Sequence, residues 1–202
     1  QRADFHAHDV LEHSLRACRY ADPRVRLSAL LHDVGKPAAY AATGKYHGHD
    51  AVGEPIGRAV LQRLKAPKKT TETVCRMIAL HMFDLDGKVR EGKVRAFLVK
   101  NADVYELLCL VKQADFSGCK DDLSPCPTLK KWEEIRKKMV REGVPFTLKE
   151  LAVKGDDLAS FLPARRIGEV LNTLLLRCAQ GALPNRRDAL LREAARMAEE
   201  ER

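Results

Sequence analysis

The sequence predicts an all-α protein, and three observations predict it. Apolar residues recur at spacings of three and four along most of the chain. No stretch of any length alternates apolar and polar residues. Aromatic residues make up only 5% of a composition rich in Leu, Ala, Arg, Lys and Glu, which favours helices over sheets.

The elements follow in order. "HDVLEHSLRACRYA" puts Val10, Leu11, Leu15 and Cys18 on one helical face and stops before Asp22-Pro23. "PRVRLSALLHD" opens on a proline, whose missing N–H costs little in a first turn, and ends in His32-Asp33. Residues 34–47 read as an irregular loop, punctuated by Gly35, Pro37 and Gly44. Helices are then expected over 49–65, halted by Ala66-Pro67, and in "KKTTETVCRMIALHMFDLD", with Thr70 or Thr71 as its cap. Three more fall near 90–100, 103–117 and 127–141. "GVPFTLKELAV" looks extended, with a turn at Gly155. Helices ending at 181 and starting from an Asn185 cap complete the chain.

At 202 residues the chain can bury one good core or two small ones. Its 45% hydrophobic and 32% charged content excludes a disordered chain. No apolar run approaches the ~20 residues that span a bilayer, and no signal peptide is visible, so a cytoplasmic protein without a membrane partner is expected. The first residue, Gln1, is not Met, which leaves room for an upstream domain. A net charge of +8 and a pI near 9.3 suit a polyanionic partner, nucleic acid above all, or simply a solvated basic surface. The six cysteines include no C-x-x-C and read as reduced thiols. Cys119 and Cys126 flank an acidic loop, but their spacing is wide for a structural zinc pair.

The chemistry concentrates in one series: His13, His32-Asp33, His49, His81 and Asp115, each on or at the end of an expected helix. Imidazole and carboxylate donors together suit Mn, Fe, Co, Ni or Zn, and a site richer in carboxylate would suit Mg. Each residue also has a structural reading as a satisfied core or surface group. Asp115 fits that reading least, because "LLCLVKQADF" would bury its carboxylate without a partner.

The order H…HD-x-G-K…H…H…D closely resembles the HD-domain metal-dependent phosphohydrolases. It is carried by His13, "HDVGK" (32–36), "HDAVGE" (49–54), "LH" (80–81) and "QAD" (113–115). The resemblance implies one metal held by His13, His32, Asp33 and Asp115. Members with two ions use the intervening histidines, here His49 and His81, with Asp33 bridging. Lys36 matches the lysine of the motif and would bind a phosphate oxygen, so Asp33 and Lys36 are the expected catalytic residues. Gly35 is expected to let the chain turn sharply enough to bring Lys36 alongside.

More narrowly, "FHAHDVLEHSL", "LLHDVGKP", "YHGHDAVGE" and the segment from "TLKELAVKGDDLA" to "NRRDALL" resemble the central and C-terminal parts of bacterial tRNA nucleotidyltransferases. The architecture implied is an HD helical bundle over 1–125, then a C-terminal helical subdomain over 126–202. In that family the late helices lie against tRNA, which would give Arg165, Arg166, Arg186 and Arg187 phosphate contacts. The nucleotidyltransferase head, with its glycine motif and paired aspartates, has no counterpart in the chain. The expected function is therefore metal-dependent hydrolysis of a phosphoester in a nucleotide or RNA 3′ end, with one or two ions. The alternative is a tRNA-binding helical portion whose catalytic head is absent. His47 would line the substrate pocket, and the oligomeric state stays open.

Overall fold

Asp9 starts the first helix: its carboxylate accepts the Glu12 amide at 2.8 Å, meeting one of the donors a helix start leaves unpaired. The structure is a computed structural model describing residues 9–199, so residues 5–8 of the "FHAHDVLEHSL" stretch, and residues 200–202, lie outside the described residues. Among the described residues every regular element is helical. The α-helices are α1 (Val10–Tyr20), α2 (Arg26–Leu31), α3 (Lys36–Thr43), α4 (His49–Arg63), α5 (Lys68–Leu80), α6 (Glu91–Lys100), α7 (Tyr105–Lys120), α8 (Pro127–Arg141), α9 (Gly155–Leu158), α10 (Ala164–Ala179) and α11 (Arg187–Glu199). Short 3-10 turns cover Pro23–Val25 and Leu148–Glu150.

The chain forms two compact units. One holds the chain up to Gly87 together with Val104–Lys130; the other holds Lys88–Asp103 and the chain from Lys131 onward. The chain passes between the units at 87–88, 103–104 and 130–131.

In the first unit α4 packs on α5, with Leu61, Val74, Cys75 and Ile78 buried together and Leu27, Leu31 and Val34 against them. α1 packs on α7, where Gly118 lies so near Ala17 that a Cβ would meet its backbone nitrogen at 2.8 Å. Asp121, closing α7 with φ 54°, accepts the Tyr20 hydroxyl at 2.7 Å and pairs with Arg16, fastening the ends of these two helices. In the second unit Trp132 is fully buried and tilts against Phe97 at 5.5 Å between centroids. Arg95, buried on α6, forms an ion pair with Glu142.

Several local expectations are corrected. Residues 36–43 are helix rather than loop. Pro37 lies in the first turn, where its missing donor costs nothing, and Gly44 at φ 68° ends the helix with its amide on the Tyr40 carbonyl. α5 starts at Lys68, so Thr71 does not cap it; its hydroxyl instead donates back to the Pro67 carbonyl at 3.2 Å. Asn185 precedes α11 by two residues, and its amide ties residues 150 and 152 together, accepting from the Ala152 N–H and donating to the Glu150 carbonyl. The stretch expected to be extended contains the Leu148–Glu150 turn, and the turn at Gly155 opens α9.

Candidate metal centre

Six ligand-type side chains meet inside the first unit. His13 comes from the inner face of α1, His32 and Asp33 from the turn after α2, His49 from the first residue of α4, His81 from the end of α5 and Asp115 from α7. None is more than 8% exposed. Asp33 stands at the centre. Its Oδ1 lies 3.0 Å from His49 Nε2 and 3.7 Å from His81 Nε2, while its Oδ2 lies 3.6 Å from His13 Nε2 and 3.4 Å from His32 Nε2. Asp115 Oδ1 joins the second side, 3.0 Å from His13 Nε2 and 3.4 Å from His32 Nε2.

Tautomers follow from the backbone. Nδ1 of His32 is 2.6 Å from the Ala29 carbonyl, Nδ1 of His49 is 2.8 Å from that of Tyr46, and Nδ1 of His81 is 2.7 Å from that of Ile78. A carbonyl only accepts, so each Nδ1 carries its hydrogen and each Nε2 of a neutral ring presents a lone pair inward. His49 and His81 then face each other, Nε2 to Nε2, at 3.1 Å, and both point at an anionic oxygen. Lone pairs so close are relieved by a shared proton or a cation. His13 and His32 repeat the arrangement at 3.1 Å. Asp33 Oδ2 is buried, with the Lys36 ammonium as its cationic neighbour. The donor set therefore fits a divalent metal: His13, His32 and Asp33 form one group that could hold an ion, and Asp33, His49 and His81 another.

The electrostatics agree with that design. Burial opposes charge on His32, yet Asp33 and Asp115 outweigh it and hold its pKa well above the ordinary value. Burial likewise opposes ionisation of Asp33 and Asp115, but the surrounding imidazoles, His32 foremost, keep both well below the carboxylate range. His81 goes the other way: burial lowers its pKa and keeps it neutral. Lys36, the first residue of α3 and itself buried, places Nζ 2.5 Å from Asp33 Oδ2.

Gly35 has a different role from the one its place in the motif suggests. Its φ of −80° is open to any residue, so no special turn requires glycine. A Cβ there would lie 2.1 Å from the His49 carbonyl and 2.6 Å from the Gly53 amide. Glycine is needed because the His32-Asp33 turn presses directly on the start of α4.

Two α7 residues near the centre were missed. Cys119, one turn beyond Asp115, joins His13 and Asp115 in a group that could hold an ion, and burial followed by Asp115 pushes its thiol up to about 12. Lys112, one turn before Asp115 and buried, donates to the His81 carbonyl at 3.2 Å; burial lowers its pKa. The signal available was the spacing K-x-x-D-x-x-x-C, which puts all three on one helical face. His47 is exposed and not part of the cluster.

In the second unit Arg165 and Arg186 are exposed, Arg186 with its guanidinium 3.8 Å from Asp188, and their neighbours are also engaged within the protein. Arg166 reaches the Met197 carbonyl at 3.5 Å, and Arg187 pairs with Asp157 at 2.8 Å.

Comparison with known proteins accords with this geometry. The family described as HD domain matches residues 6–115, more than half of the chain, and the chain belongs to it. It is homologous to the HD-bearing part of tRNA nucleotidyltransferases. It is 28% identical over 191 residues to the A-adding tRNA nucleotidyltransferase of Deinococcus radiodurans, covering 84% of this chain and 42% of that protein. It is 28% identical over 194 residues to the CC-adding tRNA nucleotidyltransferase of Thermus thermophilus, covering 91% and 42%. A shorter stretch of 87 residues is 44% identical to the multifunctional CCA protein of Neisseria meningitidis, over 38% of this chain and 21% of that one. The chain thus spans less than half the length of the relatives it matches. No solved structure matches it significantly. No helix among the described residues is long and apolar enough to cross a membrane.

Proposed function

We propose that the chain is a metal-dependent phosphohydrolase acting on a phosphoester of a nucleotide or an RNA 3′ end. The observation that carries this reading is the single Asp33 carboxylate with a pair of inward-facing histidine nitrogens on each oxygen. His13, His32, Asp33 and Asp115 would hold one divalent ion, and Asp33, His49 and His81 a second. Such ions polarise a phosphoryl oxygen and acidify water.

The protein's own groups do the rest. Asp33 fixes the spacing of the two halves. The backbone carbonyls of Ala29, Tyr46 and Ile78 hold three imidazoles in the ligating tautomer. The Lys36 ammonium, parked on Asp33 Oδ2, is placed to swing onto a phosphate oxygen and offset the charge that builds there. Purified protein should hydrolyse 2′,3′-cyclic AMP when Mn, Co or Ni is supplied, and EDTA should abolish turnover. Asp33→Ala should lose activity by at least about 100-fold, in line with removal of a charge-stabilising group. Failure on a broad phosphoester panel with every metal, or an Asp33→Ala variant as active as the parent, would overturn the reading.

A second reading is a tRNA-docking portion of a longer nucleotidyltransferase. It is favoured by the partial coverage of the relatives and by the charge of +8. It predicts tRNA binding that weakens steeply with salt, whatever the hydrolytic result.

A further inference from the structure

Half of the tyrosines in this aromatic-poor chain stand together beside the metal centre. Tyr40 and Tyr46 stack with ring centroids 5.1 Å apart and planes 27° from parallel. Tyr40 is 53% exposed, and Tyr46 is half-buried. Both are tied to the centre by the chain. Tyr40 lies one turn after Lys36 on α3, so their Cβ atoms are about 5–6 Å apart on one helical face. Helical side chains lean toward the N-terminus, which tips the Tyr40 ring back toward Lys36. On the other side, the Tyr46 carbonyl accepts the His49 Nδ1 hydrogen at 2.8 Å. Lys45 and His47, exposed on either side of Tyr46, add donors to the same rim.

The rings are not needed to close the chain between them. The Gly44 amide on the Tyr40 carbonyl at 2.8 Å, Gly44 in the left-handed region and the Thr43 hydroxyl shared with Lys45 already do that. Tyr40, 53% exposed and one turn from Lys36, keeps ring surface in solvent, and an exposed aromatic ring near a phosphate-competent ammonium matches one ligand chemistry, a planar base joined to a phosphate.

We propose that Tyr40 and Tyr46 form a nucleobase-binding platform, on which the substrate's base stacks while its phosphate lies toward Lys36. This rests on the phosphoester reading of the metal centre and narrows it: the substrate carries an unpaired base close to the scissile phosphate. A free nucleotide or an RNA end meets that requirement, whereas a base held in a duplex does not.

The test is calorimetric titration of the Mn-supplied protein with AMP and, separately, with ribose 5-phosphate, which has the same phosphate and sugar but no base. AMP should bind more tightly than ribose 5-phosphate. Tyr40→Ala should weaken AMP by about 5- to 100-fold and leave ribose 5-phosphate unchanged, while Tyr40→Phe, which keeps the ring, should retain the preference. Thermal melts of the variants should match the parent, because Tyr40 is largely in solvent. Equal binding of the two probes, binding of neither, or a Tyr40→Ala loss shared by both would overturn the platform. The two proposals fail separately. Base-dependent binding without hydrolysis of any ester would remove the phosphohydrolase and leave the platform. Hydrolysis indifferent to the base would do the reverse.

Discussion

His32 Nε2 has two carboxylate oxygens beside it, Asp33 Oδ2 at 3.4 Å and Asp115 Oδ1 at 3.4 Å, and His13 Nε2 at 3.1 Å. With Nδ1 already committed to Ala29, a proton on Nε2 balances the buried carboxylates when no ion is present. Metal uptake must expel that proton, since the lone pair is the ligand. Affinity for Mn or Zn should therefore rise with pH until His32 is deprotonated in the folded state. Calorimetry in two buffers of different ionisation enthalpy should register proton release; equal heats in both would refute it. The metal-free protein should show the matching stability profile. Asp33 and Asp115, held below their ordinary 3.8, add stability above that pH that is lost as pH falls through their folded values. His32, held above 6.5, adds stability below that pH that is lost as pH rises through its folded value. In EDTA the combined contribution of His32, Asp33 and Asp115 should thus be greatest between 3.8 and 6.5, while His81, held below 6.5, adds stability above that pH that is lost as pH falls; urea midpoints across pH would reveal the sum. Removing the central carboxylate is harsher. Asp33→Ala leaves buried imidazoles without their counter-charge and should destabilise the metal-free protein by about 3–5 kcal/mol.

Among the elements, the contact that matters most is between the His32-Asp33 turn and the start of α4. Gly35→Ala drives a Cβ into the His49 carbonyl, and His49 is the residue whose Nε2 faces Asp33 Oδ1. The expected cost is about 1–3 kcal/mol of stability, together with loss of one bound ion per chain by metal analysis. Gly44→Ala serves as the contrast. It meets no atom within 4 Å and is strained only by its φ of 68°, so it should cost about 1 kcal/mol without changing metal content. α3 shows why part of the fold was hidden. Gly35, Pro37 and Gly44 are loop signals one by one, but two of them sit where a helix tolerates or uses them, the proline in the first turn and the glycine just past the end. The long amphipathic helices were legible because a 3.6-residue apolar period needs no partner to be read. Caps such as Asn185 were not, because a short polar side chain serves a turn as readily as a helix start, and only the position of residues 150–152 decided which.

On the scale of the whole molecule, all six ligand-type residues belong to one unit, and a cation bound there stabilises the fold by mass action. At an ion concentration about 100 times the dissociation constant the gain should be about 2.7 kcal/mol, read as a rise in melting temperature absent in Asp33→Ala. The basic surface is a separate property. If it docks RNA, Arg165→Ala with Arg186→Ala should weaken tRNA binding and lower the salt slope by about one to two units, since each lost phosphate contact removes roughly one. An unchanged slope would assign those charges to solvation.

By itself the sequence determined the all-α class, the family and the set of side chains that converge, because periodicity and short motifs are local and survive in one dimension. Only the tertiary structure decided how they converge. It set Asp33 between two pairs of histidines, aimed the Nε2 of His32, His49 and His81 inward through a backbone carbonyl, and required glycine at 35 for contact instead of for turning. It also brought Cys119 and Lys112 to the rim of the centre and stacked Tyr40 on Tyr46. The physical reason is common to all of these. Each depends on a distance between segments far apart in the chain or on the side of a helix that a neighbour leaves open, and neither is written in the spacing of residues along one strand of sequence.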